Sequence, residues 1–383
     1  MIALVAVFGT RPEAIKFAPV LAALHDHRAL RCRTIVTGQQ VELLRDQLET
    51  LQIAVDHRLE VMVAGQSLNA LLAITSARLA PLLRQLAPRA VLVQGDTTTA
   101  LAATLAAGFA GLPVVHIEAG LRSFSLSSPY PEEANRILIS HGASLHCAAT
   151  TDNVANLIKE GVAAEAIVLT GNPIVDALHA ALPQARAAAP LAALLARHVG
   201  RRVVTLTVHR RENFGPRLHG YVRAARDFVL ARDDCVLVAP VHPNPAVAET
   251  LQQLLAGHRR VELIAPLGYY DFLALLSASA LVLSDSGGVQ EEVAAIGVPL
   301  LVLRDTTERP EILATGLARL ARSPAELTAM LAAIKTWPQR RPLAVNPFGD
   351  GHSSVRIANA VAAFLQRCKT SPPAQPNSDA RMI

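Results

Sequence analysis

From the first residue to about 367, short apolar runs alternate with longer segments in which apolar residues recur every three or four positions. Alternation of this kind predicts a parallel sheet wound with helices. In the first half, residues 2–8, 33–37, 90–94, 114–117, 144–148 and 166–170 read as strands. Ala90-Val91-Leu92-Val93 is continuously apolar, as a strand covered on both faces must be. An Ala- and Pro-rich passage at 182–190 reads as less structured and interrupts the rhythm. The alternation then restarts, with strands expected at 202–208, 235–241, 261–264, 280–284 and 299–303. The joint is placed between Gly171 and Gly200, giving a first domain over 1–170 and a second over 171–352. Beyond Trp337-Pro338 an Arg-, Pro- and Gly-rich loop leads to Gly351 and an amphipathic helix expected at 353–367. The tail, 370–383, has too little apolar content to fold and is expected to be disordered. The fold class is α/β, with two doubly wound Rossmann-like domains.

A length of 383 residues agrees with two domains. Hydrophobic residues make up 51% and aromatics only 4%, so the cores are to be built from Ala, Leu, Val and Ile. The apolar opening, residues 1–8, has no basic leader and is far shorter than a membrane span of about 20 residues. It reads as a buried strand, and a cytoplasmic protein without a membrane partner is expected. The four cysteines, Cys32, Cys147, Cys235 and Cys368, form no CxxC pair, which excludes a disulfide framework or a zinc site. Net charge is +5, yet only four residues are lysine, so the positive charge is mostly arginine, a side chain suited to bidentate contact with phosphate and carboxylate. No basic run is interleaved with aromatics, so nucleic acid is not an expected partner.

Ligands of doubly wound sheets collect at the carboxyl ends of strands, so polar residues there are the first candidates. The first strand runs into Gly9-Thr10-Arg11-Pro12-Glu13-Ala14-Ile15-Lys16. Pro12 suits a first helical turn, and Arg11 beside free N–H groups would make an anion site; the alternative is a plain turn. Asp96, in Gln94-Gly95-Asp96-Thr97, either acts on a ligand or caps the next helix. Glu118 ends the following strand, and Glu132 and Glu133 open a helix whose dipole they could merely complement. Carboxylates at three such places in one domain point to a shared cleft. In the second domain His209 follows a strand directly, beside Arg210 and Arg211, and His242 ends the next strand in a proline-stiffened loop. Asp285-Ser286-Gly287-Gly288 joins a strand to a helix, where two glycines let a diphosphate approach the free N–H groups of the helix start. This is neither GxGxxG nor a P-loop, which argues against NAD and ATP. Glu292, one turn later, suits paired ribose hydroxyls. Arg309 follows the last strand in a loop of alternating charge.

Taken in order, GTRPEAIK, GDTTT, IEAGLRS, PYPEEANR, HRREN, DSGGVQEE and RDTTERPE resemble the non-hydrolysing bacterial UDP-N-acetylglucosamine 2-epimerases over about residues 4–365. The resemblance implies the B-type glycosyltransferase-like architecture, two domains facing a cleft with the 353–367 helix packing back on the first domain. It also implies a homodimer, UDP held mainly by the second domain, and no cofactor or metal. The implied reaction is reversible C2 epimerisation of UDP-N-acetylglucosamine to UDP-N-acetylmannosamine, by elimination of UDP to 2-acetamidoglucal and re-addition, supplying precursors of surface polysaccharide. By motif, Asp96, Glu118 and Glu132 look like the catalytic acids and His209 like the essential histidine. Arg11, Lys16, Ser286, Gly287, Gly288, Glu292 and Arg309 look like substrate contacts. Arg210 and His242 resemble positions used by a second, activating UDP-sugar. Ser123-Phe124-Ser125 departs from the usual Thr-Gly-Asp of the family, and Gly268 stands where an acid is common. Rival readings are a hydrolysing epimerase, an epimerase of a modified UDP-sugar, a glycosyltransferase on the same scaffold, and a non-catalytic nucleotide-sugar sensor.

Overall fold

The computed structural model describes residues 1–38, 41–63, 65–185 and 189–370. They form two compact units, Met1–Ala177 together with the chain from Gly349, and Leu178–Phe348. The division falls inside the helix Pro173–Ala185. The passage 182–190, expected to lack structure, is helical at both ends, in the last turn of that helix and in a second helix, Ala189–Ala196. Its alanines favour helix once the chain has a face to bury. The tail expected to be disordered lies outside the described residues from 371 onward.

The first unit contains seven strands: β1 (Ile2–Phe8), β2 (Leu30–Val36), β3 (His57–Arg58), β4 (Ala90–Gln94), β5 (Val114–Ala119), β6 (Leu145–Ala148) and β7 (Ile167–Leu169). Their order is β3-β2-β1-β4-β5-β6-β7, and every pairing is parallel. The chain reverses its direction of winding between β1 and β4, the switch point at which such sheets open a crevice. Strand β3 is only two residues long, and the hydrophobic pattern does not show it.

Both faces of this sheet are buried, and β1 shows how. Leu4, Ala6 and Phe8 point into one core and Val5 and Val7 into the other, following the period-two alternation of a strand. The first core is closed by the helix Arg11–Asp26 and, from the far end of the chain, by the helix Ser353–Thr370. Ile357, Ala358, Val361, Ala362 and Leu365 of the latter make one helical stripe against Phe17, Val20 and Leu24. Asp176 caps its start, accepting from Ser353 N at 3.2 Å and Ser354 N at 2.8 Å. The second core is closed by the helices Leu68–Leu86 and Thr98–Phe109.

The second unit repeats the plan with β8 (Arg202–Thr207), β9 (Cys235–Pro240), β10 (Val261–Ile264), β11 (Ser279–Ser284), β12 (Leu300–Val302) and β13 (Ala318–Leu320). The order is β10-β9-β8-β11-β12-β13, again all parallel. On β9, Cys235, Leu237 and Ala239 face one core and Val236 and Val238 the other. Cys147 and Cys235 are buried and Cys32 and Cys368 half-buried, all as free thiols. Among the described residues no helix is long and apolar enough to cross a membrane.

Gly120, just past β5, has φ +90, and a Cβ there would lie 2.8 Å from the Asn153 carbonyl carbon, closer than carbon atoms pack. Gly120→Ala is therefore expected to destabilise the protein by about 3 kcal/mol or more through backbone strain and overpacking. Chemical denaturation compared with Gly111→Ala checks this, because Gly111 has a similar φ of +69 and open space around it.

Candidate active site

At the carboxyl edge of the first sheet, Glu118 is the most constrained residue. It belongs to β5 itself, is 5% exposed, and has φ +63, a conformation rare outside glycine. Its Oε1 meets Lys16 Nζ at 2.5 Å and accepts from Asn172 Nδ2 at 3.1 Å, while Gln94 Nε2 donates to Oε2. A buried carboxylate needs such partners, since its desolvation is otherwise uncompensated. Lys16 comes from the helix after β1, Gln94 from β4 and Asn172 from the turn after β7, so three separate elements hold one side chain. A Cβ on Gly95 would sit 3.5 Å from Glu118 Oε2, which places the carboxylate directly beside the turn that carries Asp96.

Asp96 does not cap the next helix. Thr97 does that, its Oγ1 accepting from Ala100 N at 3.0 Å. Asp96 Oδ2 instead accepts from Arg136 Nε at 2.9 Å and Nη2 at 2.6 Å, and Asn135 Nδ2 donates to its backbone carbonyl at 2.8 Å. Arg136 and Asn135 lie on the helix Glu132–Gly142, so the helix that begins with Glu132 is the one that grips Asp96. Glu133 does more than complement that helix's dipole. Its carboxylate accepts from Ser123 N and Phe124 N, both at 2.9 Å, and from Arg136 Nη1 at 2.9 Å, and so fixes the Ser123-Phe124 segment. Phe124 itself is exposed, with φ +58 and Lys159 Nζ 5.5 Å from its ring centroid.

The turn after β1 corrects one expectation. The N–H groups of Gly9 and Thr10 are not open to an external anion: Glu13 Oε2 accepts from them at 3.0 and 2.8 Å, and from Thr10 Oγ1 at 2.8 Å. Glu13 Oε1 accepts from Thr97 Oγ1 at 2.7 Å, tying the β1 turn to the Asp96 turn. Burial pushes the Glu13 carboxyl up to about 7, against the lowering effect of the hydrogen bonds from Gly9, Thr97 and Thr10. Arg11 stands half-buried at the first position of this helix, and Lys16 one turn further in is committed to Glu118. The buried Arg122 makes a bidentate pair with Glu160, at 2.7 and 2.6 Å, and belongs to the scaffold.

At the carboxyl edge of the second sheet the organising group is Asp285, fully buried after β11. It accepts from His209 N at 3.1 Å, Arg210 N at 3.0 Å and Asn213 Nδ2 at 3.0 Å, and its Oδ1 lies 3.4 Å from His209 Nδ1. The turn after β8 is thereby hung from the end of β11, and the His209 ring is oriented by a carboxylate. His242, from the end of β9, stacks on His209 with centroids 5.6 Å apart, so these two histidines form one patch with Arg210. Burial holds the His209 imidazole down to about 4, with Asp285 raising it and Arg210 and His242 lowering it further. His209 is thus neutral at neutral pH.

Ser286 stands at the N-cap position of the helix Gly287–Ile296, and its side chain makes no capping bond to the helix start. At Gly287 the missing side chain is required by the chain itself: a Cβ there would lie 2.7 Å from Arg309 Nη1 and 3.1 Å from Glu308 Oε1. At Gly288 the nearest atom is Ser286 Oγ at 4.0 Å, so this position does leave an open approach to the helix start. Arg309 is buried, with Nε 2.7 Å from Glu291 and Nη1 2.5 Å from Glu308. Arg304 reaches Glu308 at 2.7 Å and Glu212 at 3.2 Å, and Arg210 stands 4.0 Å from Glu308. Three guanidiniums therefore meet three carboxylates behind the Ser286 turn. Glu292 is buried on the second turn of the helix. Reasoning from the sequence missed Glu13, Gln94, Glu133, Arg136, Asn172 and Asp285 as site-forming residues. Several stand inside the quoted motifs, but only the fold shows what each one holds.

Two doubly wound parallel sheets with their polar groups gathered at the carboxyl edges place the protein in the B-type glycosyltransferase-like fold class. A family model described as UDP-N-acetylglucosamine 2-epimerase matches residues 22–362. A probable UDP-N-acetylglucosamine 2-epimerase of Ralstonia nicotianae is 42% identical over 94% of this chain and 98% of its own. The crystal structure of UDP-GlcNAc 2-epimerase from Neisseria meningitidis bound to UDP-GlcNAc has 37% identity and a TM-score of 0.89, covering 94% of this chain and 100% of that one. The S. aureus MnaA–UDP co-structure has 35% identity and a TM-score of 0.91, covering 96% and 97%. The chain belongs to the UDP-N-acetylglucosamine 2-epimerase family and is an isomerase.

Because the folded His209 pKa lies below the ordinary 6.5, the stability this neutral ring confers is present above about 6.5 and is lost as pH falls toward 4. In an NMR titration of histidine-labelled protein the His209 ring should therefore protonate near pH 4. Asp285→Asn should lower that value further, since Asp285 is what raises it, and weaken the fold by about 1–3 kcal/mol through lost hydrogen bonds. A His209 ring titrating at 6.5 in both proteins would contradict the assignment.

Proposed function

We propose that this enzyme inverts C2 of UDP-N-acetylglucosamine by eliminating and re-adding UDP. The C2 hydrogen of this sugar is not adjacent to a carbonyl and is too weakly acidic for direct removal. Breaking the C1–O bond to UDP first gives C1 oxocarbenium character and acidifies that hydrogen. A carboxylate then takes the proton, leaving 2-acetamidoglucal and UDP. Reprotonation of C2 from the opposite face and re-addition of UDP at C1 give UDP-N-acetylmannosamine.

The observation that carries this reading is Glu118, a buried carboxylate held in an unfavourable backbone conformation beside the Asp96 turn. Strain of that kind persists where the surrounding structure over-determines it and is concentrated at functional sites. Asp96, Glu118 and Glu132 are the acid–base groups of the proposal, with Arg11 and Lys16 near them. Ser286, Gly287 and Gly288 at their helix start hold the diphosphate, Glu292 the ribose, and Arg309 braces the turn from behind. Neutral His209 serves the leaving diphosphate by hydrogen bonding, and Arg210 supplies charge beside it. Arg210 and His242 are where an activating second UDP-sugar would bind. The relatives named above are UDP-N-acetylglucosamine 2-epimerases, and one of them is bound to UDP-GlcNAc, which supports the substrate. The proposal includes a homodimer in the cytoplasm that supplies precursors for cell-surface polysaccharide, on the strength of family resemblance.

Incubation with UDP-N-acetylglucosamine in deuterated water should place deuterium at C2 of a mixture of two UDP-sugars, followed by NMR. Release of free N-acetylmannosamine would indicate a hydrolysing enzyme, and binding without exchange a sensor. Asp96→Asn and Glu118→Gln should each slow the exchange by about 100-fold or more while leaving UDP affinity within about twofold. Exchange at the parental rate in both variants would sink the catalytic assignment.

A further inference from the structure

The second sheet has an opposite, amino-terminal edge, and a cavity of about 680 Å³ opens there. It is bounded by the first residues of β8 and β11 and by the segment around Trp337. Arg201, Arg202 and Arg340 are among its lining residues, and no acidic residue is. Elsewhere in the unit Arg217, Arg226, Arg232, Arg260 and Arg304 each meet an acid within 3.2 Å.

The three lining arginines are held by other means. Arg201 Nε donates to the Asp233 carbonyl at 3.3 Å, and Arg340 Nη1 donates to the Ser277 carbonyl at 2.6 Å. Arg202 lies over the Trp337 ring, 5.7 Å from its centroid. The nearby acids are already engaged. Asp233 pairs with Arg260 at 2.8 Å, and Asp234 takes Arg232 at 3.2 Å and Trp337 Nε1 at 2.7 Å. Backbone carbonyls and an aromatic face position a guanidinium without neutralising it, so three charges are pre-organised around one empty volume.

We propose that this cavity is a second anion site, for a small polyphosphate, either inorganic or carried by a nucleoside. Several arginines, with no acid among the lining residues and the neighbouring Asp233 and Asp234 already paired, match a multivalent oxyanion, because each guanidinium can make paired N–H···O bonds to a phosphate. The volume falls within the roughly 300–1,000 Å³ of small-molecule sites and exceeds the needs of one phosphate ion. The site is distinct from the Ser286 turn. Both β8 and β11 run from one edge to the other, six residues each, which separates the two places by about 20 Å. The inference does not depend on the elimination mechanism.

Trp337 is the only tryptophan in the chain, so its emission reports on this cavity directly. Titration with inorganic triphosphate, in the presence of saturating UDP, should change the emission saturably with one site per chain by calorimetry. Arg201→Gln combined with Arg340→Gln should weaken the apparent Kd at least tenfold, and C2 exchange without triphosphate should stay at the parental rate. Arg201→Gln combined with Arg202→Gln is a second route to the same loss, should removal of the Arg340 bonds impair folding. ATP in place of triphosphate separates the two sources: tighter binding assigns a nucleotide, weaker binding the inorganic anion, and either supports the site. The proposal is overturned if sodium chloride at matched ionic strength gives the same emission change. It is equally overturned if no heat or emission change appears, if UDP abolishes the response, or if the folded variants bind triphosphate with parental affinity.

Discussion

Burial of both faces of each parallel sheet is the constraint on which the rest of this structure depends. A strand such as Ile2–Phe8 sends alternate residues into two separate cores, so neither face has room for a polar side chain without a partner. Chemistry is thereby confined to the strand ends. At the carboxyl edges the chain leaves each strand and turns into a helix, and there Glu118, Asp96, His209 and Asp285 emerge. The same confinement explains why residues far apart in sequence come to share a site. Lys16, Gln94 and Asn172 leave three different elements at one edge and converge on one carboxylate.

Charge brought to such an edge has to be compensated locally, and the protein does this with chains of pairs. Glu133, Arg136 and Asp96 form one, and Glu212, Arg304, Glu308, Arg309 and Glu291 another. Buried pairs of this kind contribute little net stability, since desolvation offsets most of the attraction, but removing one member leaves a buried charge exposed to the full penalty. Their value here is positional. Arg136 sets the direction of Asp96, and Asp285 sets the turn that carries His209, so both side chains are held in place by the protein's own contacts. Gly287 shows the packing cost of this arrangement, since the Arg309 guanidinium occupies the volume a side chain would need.

The sequence by itself determined the class of fold and the identity of the carboxylates and histidine at the strand ends. Parallel strands buried on both faces must be continuous apolar runs, and helices between them must carry an apolar stripe; both are local signals that survive without an alignment. The two- and three-residue edge strands β3 and β13 were not legible, because so few residues leave no period to read. The helical ends of the passage at 182–190 were not legible, because Ala and Pro are ambiguous until a neighbouring face is known. Only the tertiary structure decided partners. Glu13 stands three residues after Thr10, the spacing of a capping box, so its bond to the Thr10 N–H is a local signal; its further reach to Gly9 and to Thr97, 84 positions away, belongs to the fold alone. Nor could Asp96 be told from a helix cap until Arg136 was placed against it. Propensity and pattern act over a few residues, whereas a hydrogen bond between residues 40 or 102 positions apart, as at Asp96 and Glu118, exists only once the sheet has brought its edges together.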